Sequence, residues 1–241
     1  MIFLTAWMAI VAALYATAGQ AGGSGFVAVM TFGGFSPADI RPISLVLNIV
    51  AASYATLQIH RAKLADWPLL GALLVTSVPA AFLGGTIILR GAVYFGVTGT
   101  ILLLVSALMA VRKPQTGAVP VRQGTALIAG AVTGLASGIT GIGGGAILSA
   151  ILILFAKASA KKTAALSPLF ILANSVAGLV GVLSVGQRIP FAALPFAAAA
   201  IAGAAIGMAI GRRWMSEAAI RYVLAVILLA GAAQMLAKAF S

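Results

Sequence analysis

The segment SGITGIGGGAI at 137–147 lies inside an apolar run that extends from 123 to 155. Five of its eleven residues are glycine, the ordinary residue most costly to a helix interior. An apolar run of that length marks a membrane segment, and in lipid every backbone N–H and C=O must be satisfied within the protein. A helix-breaking cluster at membrane depth is tolerated only where other protein surrounds it or where it lines a cavity.

Composition supports a membrane reading throughout. Of the 241 residues, 62% are hydrophobic and only 7% charged, too little polar surface to cover a soluble core. Repeated apolar runs predict an all-α polytopic membrane protein in contact with the lipid bilayer, with no separate soluble domain. The opening stretch MIFLTAWMAIVAALYATAG lacks the basic region of a signal peptide, so it is read as part of the bundle. The net charge of +12 comes from 15 Lys and Arg against 3 Asp and Glu. These cations sit at the ends of apolar runs, as topology signals do, so no nucleic-acid partner is expected; attraction of an anion is the secondary reading. Cysteine is absent and His60 is the single histidine, so no metal cluster and no cofactor are expected. Trp7, Trp67 and Trp214 are placed as interfacial anchors.

The chain reads as two copies of one unit. Its only asparagines, Asn48 and Asn174, each follow a proline by six residues, in PISLVLN (42–48) and PLFILAN (168–174). A glycine cluster precedes each, AGGSG (21–25) and GIGGG (141–145). The offset is 120 residues at the glycines (21 to 141), 126 at the asparagines and 125 at Lys113 and Lys238, with an insertion placed in the KASAKK segment (157–162). The expected units are 1–113 and 123–241, joined by a linker at 114–122. Pro42 and Pro168 are expected to open their helices at the first position.

Length and charge then choose the topology. Residues 2–35, as one helix, would be about 51 Å long at 1.5 Å per residue, against a hydrocarbon core of about 30 Å. The run is too short for two full spans, and the same holds for 123–155. Each is either one steeply tilted helix or two short helices meeting at the glycines. If each run crosses once, the cations divide eight to seven. If each is a hairpin that returns to its own side, the halves are inverted. Arg61, Lys63, Arg112, Lys113, Arg122, Lys157, Lys161, Lys162, Arg212, Arg213 and Arg221 then share one side, against Arg41, Arg90, Arg188 and Lys238. Eleven against four is the asymmetry that the positive-inside rule expects. The predicted fold is two inverted repeats, each with one glycine-broken re-entrant hairpin and three spanning helices. That gives about ten helical pieces in eight long apolar segments, with both termini periplasmic.

The carboxylates are Asp39, Asp66 and Glu217, all near predicted helix ends, with Glu217 and Arg221 spaced as a helix-surface pair. Without an intramembrane Asp, Glu or His, acid–base enzymology, a carboxylate proton relay and cation transport are all disfavoured. The interior offers neutral donors instead. Broken helices present backbone N–H groups and positive N-termini at midplane, where an oxoanion fits. The candidate substrate-binding residues are Gln20, Gly22, Gly23, Ser24, Gly25, Ser44, Asn48, Thr140, Gly141, Gly143, Gly144, Gly145, Ser167 and Asn174. For the two asparagines, an interhelical hydrogen bond stands beside the ligand-donor reading. Gly130, Gly134 and Gly138, and likewise Gly203, Gly207 and Gly211, recur every four residues as small-residue packing stripes. The consecutive Gly143, Gly144 and Gly145 do not fit a one-face stripe.

A duplicated unit with the segment Gly141-Ile142-Gly143-Gly144-Gly145 ahead of a proline-containing helix resembles the TauE/SafE family, also called the 4-toluenesulfonate uptake permease family. The resemblance covers essentially the whole chain. In the first copy Ala21 is set opposite Gly141, and Ser24 replaces the middle glycine. The resemblance implies transport of a small sulfur-containing anion, such as sulfite, sulfoacetate or an aryl sulfonate, across a bacterial inner membrane. The expected protein is thus a secondary transporter rather than an enzyme, with a passive small-anion channel as the alternative.

Overall fold

The computed structural model describes residues 1–17, 19–61, 66–111, 121–155, 160–214 and 217–240, and among these it is all helical. The first apolar run forms α1 (Ile2–Thr17) and α2 (Gly23–Phe32), followed by α3 (Pro37–Arg61), α4 (Trp67–Thr86) and α5 (Gly91–Val111). The second forms α6 (Gln123–Thr140) and α7 (Gly145–Phe155), followed by α8 (Ala160–Ser184), α9 (Ala193–Trp214) and α10 (Glu217–Phe240). Among the described residues, α3, α4, α5, α8 and α9 carry apolar stretches long enough to cross a membrane. Both long runs are broken at their glycines, which is the second of the two arrangements that length left open.

Packing is reciprocal between the two halves. The most extensive contacts are of α4 with α6 and of α9 with α1, while α3 meets α8 and α5 meets α10. Exchanging α1 with α6, α2 with α7, α3 with α8, α4 with α9 and α5 with α10 maps this pattern onto itself. Glycine lets the helices of these first two pairs approach closely. A Cβ at Gly130, Gly134 or Gly138 would overlap the carbonyl oxygens of Leu73, Ser77 and Ala81, so α6 lies backbone against backbone on α4. At Gly203 and Gly207 a Cβ would overlap the carbonyl oxygens of Ala9 and Ala13, which brings α9 equally close to α1. Apolar helices gain nothing from hydrophobic burial in lipid, so close van der Waals packing of this kind is what holds them together.

The outer surface is apolar. Val75, Ile128 and Val226 are each at least 65% exposed, on helices whose other faces are buried, as a lipid-facing surface requires. Trp7 and Trp67 are also exposed. The prolines correct an expectation. Pro42 and Pro168 lie inside α3 and α8, and it is Pro37 that occupies the start of α3. An internal proline removes one intrahelical hydrogen bond; surrounding helices keep α3 and α8 continuous despite it.

Lys63, Arg112, Lys113, Lys157 and the linker up to residue 120 lie outside the described residues. So do the side chains of Lys161, Lys162, Arg212, Arg213, Trp214, Glu217 and Arg221, and with them the expected Glu217–Arg221 pair. Gly211 lies within α9, but its surroundings are outside the description.

Candidate functional site

The two helix breaks share a backbone conformation. Gly19 and Gly141 both have positive φ, 69° and 80°, the first lying two residues past the end of α1 and the second directly after α6. Gly22 and Gly144, at 107° and 78°, precede the first residues of α2 and α7. Gly143 is also left-handed, at 80°. Both pairs are 122 residues apart, which corrects the letter-by-letter correspondence of Ala21 with Gly141. What recurs is left-handed backbone, which glycine adopts at no steric cost, so Gly19, outside the AGGSG cluster, is the counterpart of Gly141. Ser24 then stands opposite Ala146 and replaces no glycine.

The breaks meet in the interior. A Cβ on Gly23 would overlap the carbonyl oxygen of Ile142 and come within 2.5 Å of Asn48 Nδ2. One on Gly143 would lie 2.7 Å from the same nitrogen. The first intrahelical bond of α2 is from Phe26 N–H to Gly22, and that of α7 is from Leu148 N–H to Gly144. Hence the N–H groups of Gly23, Ser24, Gly25, Gly145, Ala146 and Ile147 precede the helical ladder, and Gly22 supplies α2 with no side-chain cap. These residues are all buried. Two positive helix ends thus point into the protein rather than into water.

The side chains predicted as donors are largely engaged by the protein itself. Ser44 Oγ donates to the carbonyl oxygens of Gly141 at 2.8 Å and Gly23 at 3.3 Å, and Asn48 Nδ2 donates to Gly141 at 3.1 Å. These two α3 residues clasp both breaks together, while Asn48 Oδ1 is buried without a partner. Thr140 Oγ1 donates to Ala136 within its own helix and accepts from Ile142 N–H. Ser24 pairs with Tyr15 at 2.7 Å. Gln20 and Ser167 lie in a separate chain, linked through Ser149 at 3.5 and 3.3 Å. Asn174 Nδ2 donates to Phe170 of its own helix at 2.8 Å, and its Oδ1 is buried without a partner. The structure therefore joins Gly23, Ser44, Asn48, Gly141 and Gly143 at the break. Gly22 and Gly25 pack on Phe26 and on Val11 and Tyr15, and Gly145 packs on Ile171.

Sequence reading missed two groups. Gly144 is bordered by Thr133 and Ser137 of α6 and by Phe170, and the hydroxyls of Thr133 and Ser137 are buried without partners. Their spacing of four on α6 was the available signal. The other is Arg41, read from the sequence only as a topology charge. It is 1% exposed, with its Cα and carbonyl oxygen each 3.2 Å from where a Cβ on Gly141 would lie. Nη1 donates to Ile87 at 2.6 Å, and Nη2 to Gly84 at 3.2 Å and to Gly85. The acceptors lie at the C-terminal end of α4, the negative end of its dipole. They offset part of a desolvation cost of roughly several kcal/mol.

Chemically, the centre offers uncapped amides, hydroxyls and one guanidinium, and its nearest carboxylate in sequence, Asp39, accepts from Ser36 instead. Among the described residues no cluster of metal-ligating side chains occurs. Such a set of groups complements an anion with several acceptor oxygens.

No solved structure matches the chain significantly. A relative in Sinorhizobium fredii, described as "Probable membrane transporter protein y4hK", is 34% identical over 233 residues, covering 94% of each chain. Residues 4–235 match the family described as "Sulfite exporter TauE/SafE". With the helix breaks, the lipid-facing surface and this match over nearly its whole length, the chain belongs to the TauE/SafE family of membrane transporters.

Proposed function

We propose that the protein is a bacterial inner-membrane secondary transporter of a sulfur-containing oxoanion, either a sulfonate such as sulfoacetate or an aryl sulfonate, or sulfite. The anion binds near midplane where the two glycine breaks meet, and the halves rearrange around it to alternate access. The observation that carries this reading is the burial of two helix N-termini at breaks that touch through Gly23 and Ile142, with Thr133 and Ser137, whose hydroxyls are unpartnered, bordering Gly144. The family match supports the substrate class. Reciprocal packing and the paired positive-φ glycines support two repeats, 1–113 and 123–241, and the eleven-to-four division of cations supports their inversion, with both termini periplasmic.

The test is transport by Gly144→Val. Valine at φ 78° is strained, and its Cβ would lie 3.0 Å from Thr133 and 3.2 Å from Phe170. Uptake or efflux of labelled sulfite and 4-toluenesulfonate by proteoliposomes is expected to be lost while the protein still inserts. Normal transport by an inserted Gly144→Val protein would rule the site out. Saturable counterflow by the wild type distinguishes a carrier from a channel.

A further inference from the structure

Arg41 is a full positive charge inside the membrane domain, and its known partners are all neutral. Three backbone carbonyls hold Nη1 and Nη2, while Nε is buried without a hydrogen-bond partner. Carbonyl dipoles orient a guanidinium but leave its net charge in place. Asp39, two residues away, accepts a hydrogen bond from Ser36 at 2.7 Å, and no ion pair joins it to Arg41. A buried cation of this kind within lipid is expensive, and such residues persist where they meet a substrate, an ion or a partner charge.

Its position points to the substrate. Arg41, Ser44 and Asn48 lie three and four residues apart, hence on one face of α3. The latter two bond the carbonyl oxygen of Gly141, and the Arg41 backbone and Cγ border Gly141 itself. The face that clasps the break is therefore the face that bears the charge. The corresponding position in the second half, 126 residues on, is Ser167, hydrogen-bonded to Ser149 at 3.3 Å. At this position, a charge in the first half thus stands against a neutral hydroxyl in the second.

We infer that Arg41 is the countercharge for the transported oxoanion, binding it through the donor edge left by its carbonyl contacts, with Ser44 and Asn48 fixing the break beside it. This rests on the anion-transport reading. It goes beyond that reading by assigning the charge to a single residue of the first half.

The experiment uses full-length protein, wild type and the variants Arg41→Gln and Arg41→Lys, purified in detergent. Affinity for sulfite, sulfoacetate and 4-toluenesulfonate is measured by thermal stabilisation and calorimetry, with phosphate, nitrate and chloride alongside. Losing a charge-assisted bond is expected to weaken binding of the sulfur anion in Arg41→Gln by about ten- to hundredfold. Arg41→Lys keeps the charge but loses the planar fork, for an expected loss of about three- to tenfold. A purely structural Arg41 would lower the melting temperature of both variants and leave affinity within about twofold; that result overturns the inference. If Arg41→Gln does not fold, the Lys variant decides by the same criterion. Sulfur-anion binding that is unchanged in the variants leaves the substrate reading standing and removes Arg41. Binding confined to a non-sulfur anion and dependent on Arg41 does the reverse. A wild type that binds none of these anions removes both.

Discussion

At Gly23 a methyl group has no room: the carbonyl oxygen of Ile142 and the amide of Asn48 occupy the place of a Cβ. Neither can yield easily, because Ile142 lies between Gly141 and Gly143, both in left-handed conformation, and Asn48 is tied to Gly141. Gly23→Ala is expected to lower stability by about 1–3 kcal/mol through overpacking. Gly71 is the contrast, a helical glycine of α4 with open space around its Cβ position. Gly71→Ala is expected to raise stability by up to about 1 kcal/mol through helix propensity. Thermal denaturation of both variants in one detergent checks the sign of each effect. Ser44→Ala removes one hydroxyl shared between two buried carbonyls, of which Gly141 keeps Asn48 as a donor, and is expected to cost about 0.5–1.5 kcal/mol, read from the same melting curves.

The C-terminal ends of α4, α6 and α2 lie inside the protein, and other elements satisfy them. The end of α4 is capped by Arg41, and the last carbonyl of α6, at Thr140, accepts from Tyr94 of α5 at 2.8 Å. The last turn of α2 accepts from Lys238 of α10, which bonds Thr31 at 2.7 Å. A buried carbonyl left without a donor costs about 1–3 kcal/mol, so Tyr94→Phe is expected to destabilise by that amount. The loss should appear as faster amide exchange around 138–141 in hydrogen–deuterium exchange mass spectrometry. The glycine stripes act at the same scale. Gly134→Leu would drive a side chain into the Ser77 backbone of α4, and the expected outcome is failure to yield monodisperse protein in size-exclusion chromatography. Ile128→Leu, on the exposed face of α6, should behave as wild type.

For the whole molecule, inversion of the halves makes a single sharp expectation. Because the chain contains no cysteine, cysteines introduced at Thr116 and Gln187 report cleanly on sidedness. An inverted arrangement labels them from opposite sides of the membrane, and a parallel one from the same side. The membrane class and the ten helices were legible from the sequence because apolar length and glycine cost act locally, residue by residue. The places of the two breaks were legible for the same reason. Which glycines correspond was not: Gly19 pairs with Gly141 through backbone angles that letters do not display. The prolines were misread because a helix start and a tolerated interior kink look alike in sequence, and only the packing around α3 and α8 separates them. Arg41 was the largest omission. Sequence places it near a helix end, where an arginine ordinarily reaches water. The tertiary structure turns it inward, because α4 ends beside it with carbonyls that need donors. What the sequence determined by itself is where helices form, break and meet lipid, since those follow from local solvation. Only the tertiary structure decided which polar groups face one another across the break, since that depends on contacts between residues more than a hundred positions apart.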